Sequence, residues 1–194
     1  LTARFRVYAL CRSTEQAQRL RSQGVVPARG DLDQRHSLQR LAGLAEYVLH
    51  SAPPPNTGNN DPRSMRLAAM LAQGAILPRG LCYISTSGVY GNCNGALIDE
   101  TYPIHPENDR AIRRVDAEKQ IRNWGKRNHV SVSILRVPGI YAASRLPLTR
   151  LREGHPTLLD DEDSYTNHIH ADDLARIICA ALQHAKTCRI YHAC

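Results

Sequence analysis

The chain has 194 residues, 42% of them hydrophobic and 22% charged, so it can form one globular domain with a buried core. Its formal net charge is +7, but the arginines are scattered and aromatic residues make up only 5%, which argues against a base-stacking RNA surface. No apolar run approaches the roughly 20 residues of a membrane span. We therefore expect neither a nucleic-acid nor a membrane partner.

Strand-like and helix-like segments alternate along the chain, as judged from apolar periodicity and from Gly, Pro and Asp at the boundaries. In chain order the pattern predicts a strand at 5–10, a helix at 14–24, a strand at 25–32, a helix at 36–44 and a strand at 45–55. It then predicts a helix at 61–76, a strand that runs into a Gly-bounded turn at 80–91, a helix at 107–129, a strand at 130–141, a helix at 171–185 and a strand-like end at 189–194. This alternation predicts a single α/β domain over 1–194, with a parallel sheet covered on both faces.

The predicted strands end in polar or Gly/Pro-rich segments. In open parallel sheets, ligands bind outside the carboxyl ends of the strands. We therefore expect one crevice built from five loops, at 11–13, 30–33, 50–55, 85–91 and 136–141.

Six cysteines are present, without a Cys-x-x-Cys pair or metal-like spacing. In a chain of this size they indicate reduced, mostly buried thiols and a cytoplasmic protein. The first residues lack the apolar core of a signal peptide.

Several short motifs occur in an order typical of one family. The motifs "STSGVYG" at 85–91, "DE" at 99–100, "LRVPGIY" at 135–141 and "NHIHADDLA" at 167–175 resemble the extended short-chain dehydrogenase/reductase family, the NAD(P)-dependent nucleotide-sugar epimerases and dehydratases. The resemblance implies a Rossmann-type doubly wound sheet. It also implies a Ser or Thr after the fifth strand and a Tyr-x-x-x-Lys pair on the next long helix.

The resemblance places two arginines at the catalytic positions. Thr86 matches the family's Ser/Thr, and counting back from Glu118 puts Arg114 at the Lys position and Arg110 at the Tyr position. Arginine stays protonated in proteins and cannot serve as a base, although it binds phosphate, carboxylate or ribose oxygens. We expect Thr86 and Arg110 to contact the substrate, in an atypical member of the family.

A less specific interpretation of the arginine-rich helix remains open. It could be a solvated face on which Arg114 pairs with Glu118 and Asp109 pairs with Arg113. The loss of the Tyr and Lys also supports a second function, that of a non-catalytic NADP(H)-binding sensor or interaction protein.

Two further patterns have two interpretations each. Tyr90 and Tyr141 are candidates for a replacement acid, although packed rings are the more common use of such residues. The "HIHADD" motif at 168–173 contains a His-x-His-x-Asp pattern known from zinc hydrolases, but Asp172 and Asp173 fit the start of a helix better, so we expect no metal.

The resemblance also implies a set of cofactor contacts. Arg12, at the end of the second family strand, suits the 2′-phosphate of NADP and favours NADP over NAD, although an ordinary surface arginine is the alternative. The implied contacts are Asp31 and Leu32 beside the adenine, His50, Ser51, Ala52 and Pro53 at the phosphates and ribose, and Pro138, Gly139 and Ile140 at the nicotinamide.

The family's first strand and its Gly-rich phosphate turn have no counterpart in the sequence. If residues 1–4 end a first helix, roughly 25–30 residues of a first strand-helix unit are missing upstream. The substrate-binding part would begin near residue 142 and be largely absent, so we expect truncation at both ends. The predicted function is an NAD(P)-dependent oxidoreductase or epimerase acting on a small polar substrate or a nucleotide sugar. A homodimer is an assembly that the resemblance allows.

Overall fold

A computed structural model describes residues 5–146, 148–156, 165–184 and 186–194. Over these residues the strands are β1 (Tyr8–Cys11), β2 (Val26–Arg29), β3 (Tyr47–His50), β4 (Gly80–Thr86), β5 (Ser131–Val137), β6 (Gly139–Tyr141), β7 (His168–His170) and β8 (Arg189–His192). The α-helices are α1 (Thr14–Ser22), α2 (Pro62–Leu71), α3 (Asp109–Asn128), α4 (Leu148–Arg152) and α5 (Ala171–Gln183). Turns of 3₁₀ helix span Arg35–Leu41, Ser87–Tyr90 and Ala143–Arg145.

The main sheet has four parallel strands in the order β3-β4-β5-β8. Two parallel pairs, β1-β2 and β6-β7, form separate small sheets. All the pairings are parallel, as expected for strands joined by helical crossovers.

Helices cover both faces of the main sheet, and the side chains of β4 alternate between the two layers. Leu81 and Tyr83 pack with α2 and α3, whereas Cys82 and Ile84 pack with α5. Helix α3 lies so close to β5 that a Cβ at Gly125 would clash with Val132. The expected doubly wound α/β fold is therefore confirmed.

The sheet is interrupted between β1 and β3, which form no ladder with each other. A cavity of about 830 Å³ lies between them, and apolar side chains such as Leu10, Val48 and Leu67 line it. In the Rossmann strand order this is the place of the first strand, which the sequence analysis expects to be missing. Residues 1–4, expected to end a first helix, lie outside the described residues.

Two predicted elements differ from the structure, and one strand of the structure has no predicted counterpart. The single strand expected at 130–141 is two strands, because Pro138 has no N–H for the ladder and the chain changes partners there. The helix expected at 36–44 is a 3₁₀ segment over Arg35–Leu41. The strand β7 was not predicted, because three residues are too few to show a period.

The helix boundaries follow the capping residues of the sequence. Asp61 caps α2 by accepting a hydrogen bond from the Arg63 amide at 3.0 Å, and Pro62 occupies the first helical position. Within the described ranges, no helix is both long and apolar enough to cross a lipid bilayer. The six thiols are free, but only Cys11 and Cys82 are buried, so the expectation of mostly buried cysteines is wrong.

Candidate functional site

The cavity between β1 and β3 collects most of the residues expected to contact the cofactor. They follow the carboxyl ends of β1, β2 and β3. Those lining it are Arg12, Asp31, Leu32, His50, Ser51, Ala52 and Pro53. The remaining three, Pro138, Gly139 and Ile140, lie at the end of β5 and on β6, where Gly139 pairs with His168 of β7.

Arg63, which the sequence analysis did not single out, joins two of these strand-end segments. Its guanidinium donates two hydrogen bonds to the Asp33 carboxylate, at 2.8 and 2.6 Å, and a third to the Pro53 carbonyl at 2.9 Å. The hydrogen bond from Arg63, together with the charges of Arg63, Arg66 and Arg12, holds the pKa of Asp33 below its ordinary value despite slight burial. The cluster fixes the rim of the cavity beside Arg12.

His50 is buried at the end of β3 and begins a hydrogen-bonded chain. Its Nε2 lies 2.8 Å from the Ser64 Oγ, which donates to the Asp61 carboxylate at 2.6 Å. Because Ser64 gives its proton to Asp61, its oxygen accepts from His50, and Nε2 carries the imidazole proton. The Asp61 amide in turn donates to Asp116 of α3 at 2.7 Å. Burial, reinforced by the charge of Arg114, lowers the pKa of His50 to about 4.

This pKa predicts that the protein loses stability in weak acid. The unfolded chain takes up a proton at His50 near pH 6.5 and the folded chain only near pH 4, so stability falls as the pH drops through that window. Between pH 7 and pH 5 the loss attributable to His50 is about 2 kcal/mol. Urea unfolding of His50→Gln at both pH values should show a smaller loss than the parent chain.

The control for this prediction is His36→Gln, because His36 is exposed. It should keep the full acid sensitivity of the parent. Equal sensitivity in His50→Gln and the parent would contradict the assignment.

Thr86 ends β4 and starts the 3₁₀ turn that follows. Its Oγ1 accepts a hydrogen bond from the Gly88 amide at 3.2 Å, which leaves the hydroxyl proton free to donate to a ligand. Thr86 lies opposite Val137 in the β4-β5 register, next to Pro138. The sheet therefore brings the predicted catalytic threonine beside the segment expected at the nicotinamide.

Arg114 is buried under the sheet rather than lying at the crevice. It is 7% exposed, and its guanidinium donates to the Tyr83 hydroxyl at 3.1 Å and to the Ile84 carbonyl at 2.7 Å. The expected Arg114–Glu118 ion pair is wrong, because Glu118 pairs with Arg136 instead. A catalytic role for Arg114 stays a prediction, and this placement does not favour it.

Arg110 and Arg113 line a second, smaller recess of about 170 Å³ against residues 53–56. Arg110 is exposed, and Arg113 is only 6% exposed. The expected ion pair between Asp109 and Arg113 does not form; Arg113 donates to the Gly58 carbonyl at 2.7 Å. The solvated-face interpretation is therefore wrong for Arg113 and for Arg114, both of which are buried.

The two candidate tyrosines differ in environment. Tyr90 is buried, and its hydroxyl lies 2.6 Å from the His192 Nε2 and accepts a hydrogen bond from Arg136 at 2.7 Å. Burial raises the pKa of Tyr90, partly offset by Arg136. Tyr141 is 43% exposed on β6, with its ring 5.2 Å from that of His170. Tyr90 is thus a packed ring, and Tyr141 alone of the two faces solvent.

The histidines at 168–170 lead into helix α5. His170 caps the helix by accepting from the Asp172 amide through Nδ1 at 3.3 Å, and Asp172 and Asp173 lie in its first turn, as expected. Asp173 pairs with Arg176 at 2.6 Å. Among the described residues, no group of three or more His, Cys, Asp and Glu side chains could hold a metal ion.

An ion pair behind the crevice links α3 to β5. Arg136 and Glu118 are 4% exposed each and 2.8 Å apart, and the Ser85 hydroxyl donates to Glu118 at 2.5 Å. Arg136 also lies over the Tyr90 ring, 4.7 Å from its centroid. The signal in the sequence is an arginine inside the apolar run "VSVSILRV", which requires a buried partner.

Solved structures share this fold over nearly the whole chain. A dTDP-glucose 4,6-dehydratase from Streptomyces venezuelae, solved with NAD and DAU bound, superposes with a TM-score of 0.80 at 21% identity, covering 96% of this chain and 65% of that one. The UDP-glucuronic acid 4-epimerase of Bacillus cereus, solved with NAD and a fluorinated substrate analogue, gives 0.77 at 19%, covering 98% and 70%. RMD from Pseudomonas aeruginosa, complexed with NADPH, gives 0.73 at 20%, covering 93% and 73%.

The sequence comparisons identify the family. No curated protein sequence matches the chain. The chain spans about two thirds of the length of the dehydratase. A family model described as "NAD dependent epimerase/dehydratase family" matches residues 1–194. The chain therefore belongs to the NAD-dependent epimerase/dehydratase family.

Proposed function

We propose that the protein binds a nicotinamide dinucleotide, with NADP(H) preferred over NAD(H), and acts in oxidation-reduction or epimerisation of a small polar substrate such as a nucleotide sugar. The observation that carries the proposal is the grouping of the expected cofactor residues at the carboxyl ends of β1, β2 and β3, where they border the cavity. Seven of the ten residues expected to contact the cofactor line it together. Membership of the family and the dinucleotides bound to the solved relatives support the same function.

The described residues fit the adenosine side of such a cofactor. Arg12 presents an exposed guanidinium at the end of β1, and the turn at 31–33 is held in place by Arg63. A Gly-rich phosphate turn is not among the residues that the structure describes, so the pyrophosphate contacts proposed here are those of 50–53 alone. A bound nicotinamide would supply hydride transfer.

The chain's own residues would bind and orient the substrate. Thr86 donates its free hydroxyl proton to a substrate oxygen, and Arg110 holds an anionic group of the substrate. Residues 138–140 lie beside Thr86 and would close one side of the nicotinamide site. We also propose that a substrate-binding part begins near residue 142. The protein would form a homodimer and lie in the cytoplasm.

A specific observation favours the alternative of a non-catalytic sensor or interaction protein. By the resemblance, Arg110 and Arg114 stand at the positions of the family's acid/base pair, and neither can give up a proton at physiological pH. Arg114 is moreover directed to Tyr83 and Ile84 in the core. A sensor needs only the cofactor contacts and a surface that changes on binding.

Cofactor choice tests the proposal. NADPH should bind more tightly than NADH in calorimetric titrations, and Arg12→Ala should weaken NADPH binding by at least about tenfold, because a hydrogen-bonded charge pair with the 2′-phosphate is lost. Binding of NADH should change little. The matched control is Arg19→Ala, an exposed arginine in the last turn of α1. Equal NADPH affinity in Arg12→Ala and the parent would contradict the NADP preference.

Turnover separates the enzyme from the sensor. An enzyme should either oxidise NADPH with at least one class in a panel of keto sugars and nucleotide sugars, or convert a member of the panel to its epimer with no net change in the cofactor. Thr86→Ala should then abolish turnover while leaving NADPH affinity unchanged, and Thr86→Ser, which keeps the hydroxyl, should retain it. NADPH binding without turnover across the panel would favour the sensor.

A further inference from the structure

The recess between α3 and residues 53–56 is an unusual place for two arginines. Positive charge at a helix N-terminus opposes the macrodipole, and Arg110 and Arg113 both lie in the first two turns of α3. They are three residues apart and so share a face of the helix. Within the described part of the chain, no carboxylate forms an ion pair with either of them.

Arg113 carries a second observation that points to a ligand. Arg113 is only 6% exposed and lines the recess, yet its Nε has no hydrogen-bond partner. A buried and unpaired N–H on a charged group is unfavourable unless something else accepts from it. One terminal nitrogen is already bound to the Gly58 carbonyl, which fixes the guanidinium in the wall of the recess.

The opposite wall of the recess adds few polar groups, so the two guanidiniums are its main polar groups. Residues 53–55 are prolines and offer no backbone N–H, and Asn56 completes the lining. The volume of about 170 Å³ equals roughly five or six water molecules at about 30 Å³ each. It accommodates a phosphoryl group but not a whole sugar nucleotide.

We infer that Arg110 and Arg113 form a subsite for a phosphoryl group of the substrate. Two guanidiniums present fork-shaped donors that match phosphate oxygens, and an anion in the recess would compensate the largely buried charge of Arg113. Pro53 lines both this recess and the large cavity, so the subsite adjoins the proposed cofactor site. The inference rests on the proposed function, and it narrows the proposed substrate to a sugar phosphate or nucleotide sugar rather than an uncharged sugar.

The test is a titration with inorganic phosphate in the absence of dinucleotide, followed by calorimetry or by the chemical shift of the Arg113 Nε–H. Phosphate should bind to the parent chain, and Arg110→Gln should weaken it by about tenfold or more. Arg110→Lys keeps the positive charge but not the fork-shaped donors, so its phosphate affinity should lie between those of the parent chain and Arg110→Gln. Arg127→Gln, at the exposed C-terminal end of the same helix, is the matched control and should bind phosphate like the parent.

The outcomes distinguish this subsite from the cofactor site. Arg110→Gln should leave NADPH affinity unchanged, just as Arg12→Ala should leave phosphate affinity unchanged. If Arg110→Gln binds phosphate as tightly as the parent, the subsite is wrong. If it loses NADPH binding as well, the phosphoryl group belongs to the dinucleotide, and the assignment to the substrate is overturned. Because Arg110 is exposed, this variant tests the subsite without disturbing the core.

Discussion

Glu118→Gln is expected to lower the free energy of unfolding by about 3 kcal/mol or more. The change removes one partner of a buried ion pair and leaves the Arg136 guanidinium without a counter-charge between α3 and β5. It also weakens the acceptor of the Ser85 hydroxyl. Urea unfolding followed by the fluorescence of Trp124, the single tryptophan and a core residue, measures the effect.

The same carboxylate-to-amide change at an exposed pair provides the control. Glu46 and Arg79 are 2.6 Å apart on the surface, so Glu46→Gln should hardly move the transition. The double variant Glu118→Leu with Arg136→Met removes both charges and should be more stable than Glu118→Gln alone. A Glu118→Gln chain as stable as Glu46→Gln would show that the buried pair does not stabilise the fold.

The interrupted sheet should produce unequal protection from hydrogen exchange. Backbone amides in β4 and β5 lie inside a four-stranded ladder and should exchange more than about a hundredfold more slowly than those of β1 and β2, because an isolated two-stranded pair is marginally stable. The cavity of about 830 Å³ separates the two parts of the sheet, and β1 and β3 form no ladder across it. Hydrogen exchange read by mass spectrometry resolves these segments.

Two substitutions check the same expectation by unfolding. Ile134→Ala creates a cavity in the core around Trp124 and should lower the stability of the main transition by about 2–5 kcal/mol. Leu10→Ala, on β1 and already beside the large cavity, should leave the Trp124 transition nearly unchanged. Equal effects of the two variants, or equal exchange in β1 and β4, would mean that the chain unfolds as one unit.

The sequence predicts most of the fold because local patterns determine it. The Asp61-Pro62 start of α2 and the β-branched run of β5 each carry their own signal. The break at Pro138 was missed, since the apolar pattern continues through the proline to Tyr141. Its consequence depends on β7, a partner more than twenty-five residues away in the chain.

The site was less predictable, because its arrangement depends on burial. Spacing on α3 is equally compatible with an exposed charged face and with the observed one, in which Arg113 and Arg114 are buried. Their partners, the Gly58 carbonyl and the Tyr83 hydroxyl, are far from them in sequence. Arg63 and the pair Glu118–Arg136 likewise become meaningful only once strands and helices are packed together.

The chain changes its strand-pairing partner at Pro138, so one continuous stretch of backbone belongs to two sheets. Val137 is bonded in register to Thr86 of the main sheet, and two residues later Gly139 is paired with His168 of the outer one. Extended strands are stiff over so short a distance, so a displacement of β6 moves Val137 with it. A contact at Ile140 would therefore affect the position of the Thr86 hydroxyl. Because His170 of β7 caps α5, the same contact would also affect α5, which packs on the face of the main sheet opposite to α2 and α3.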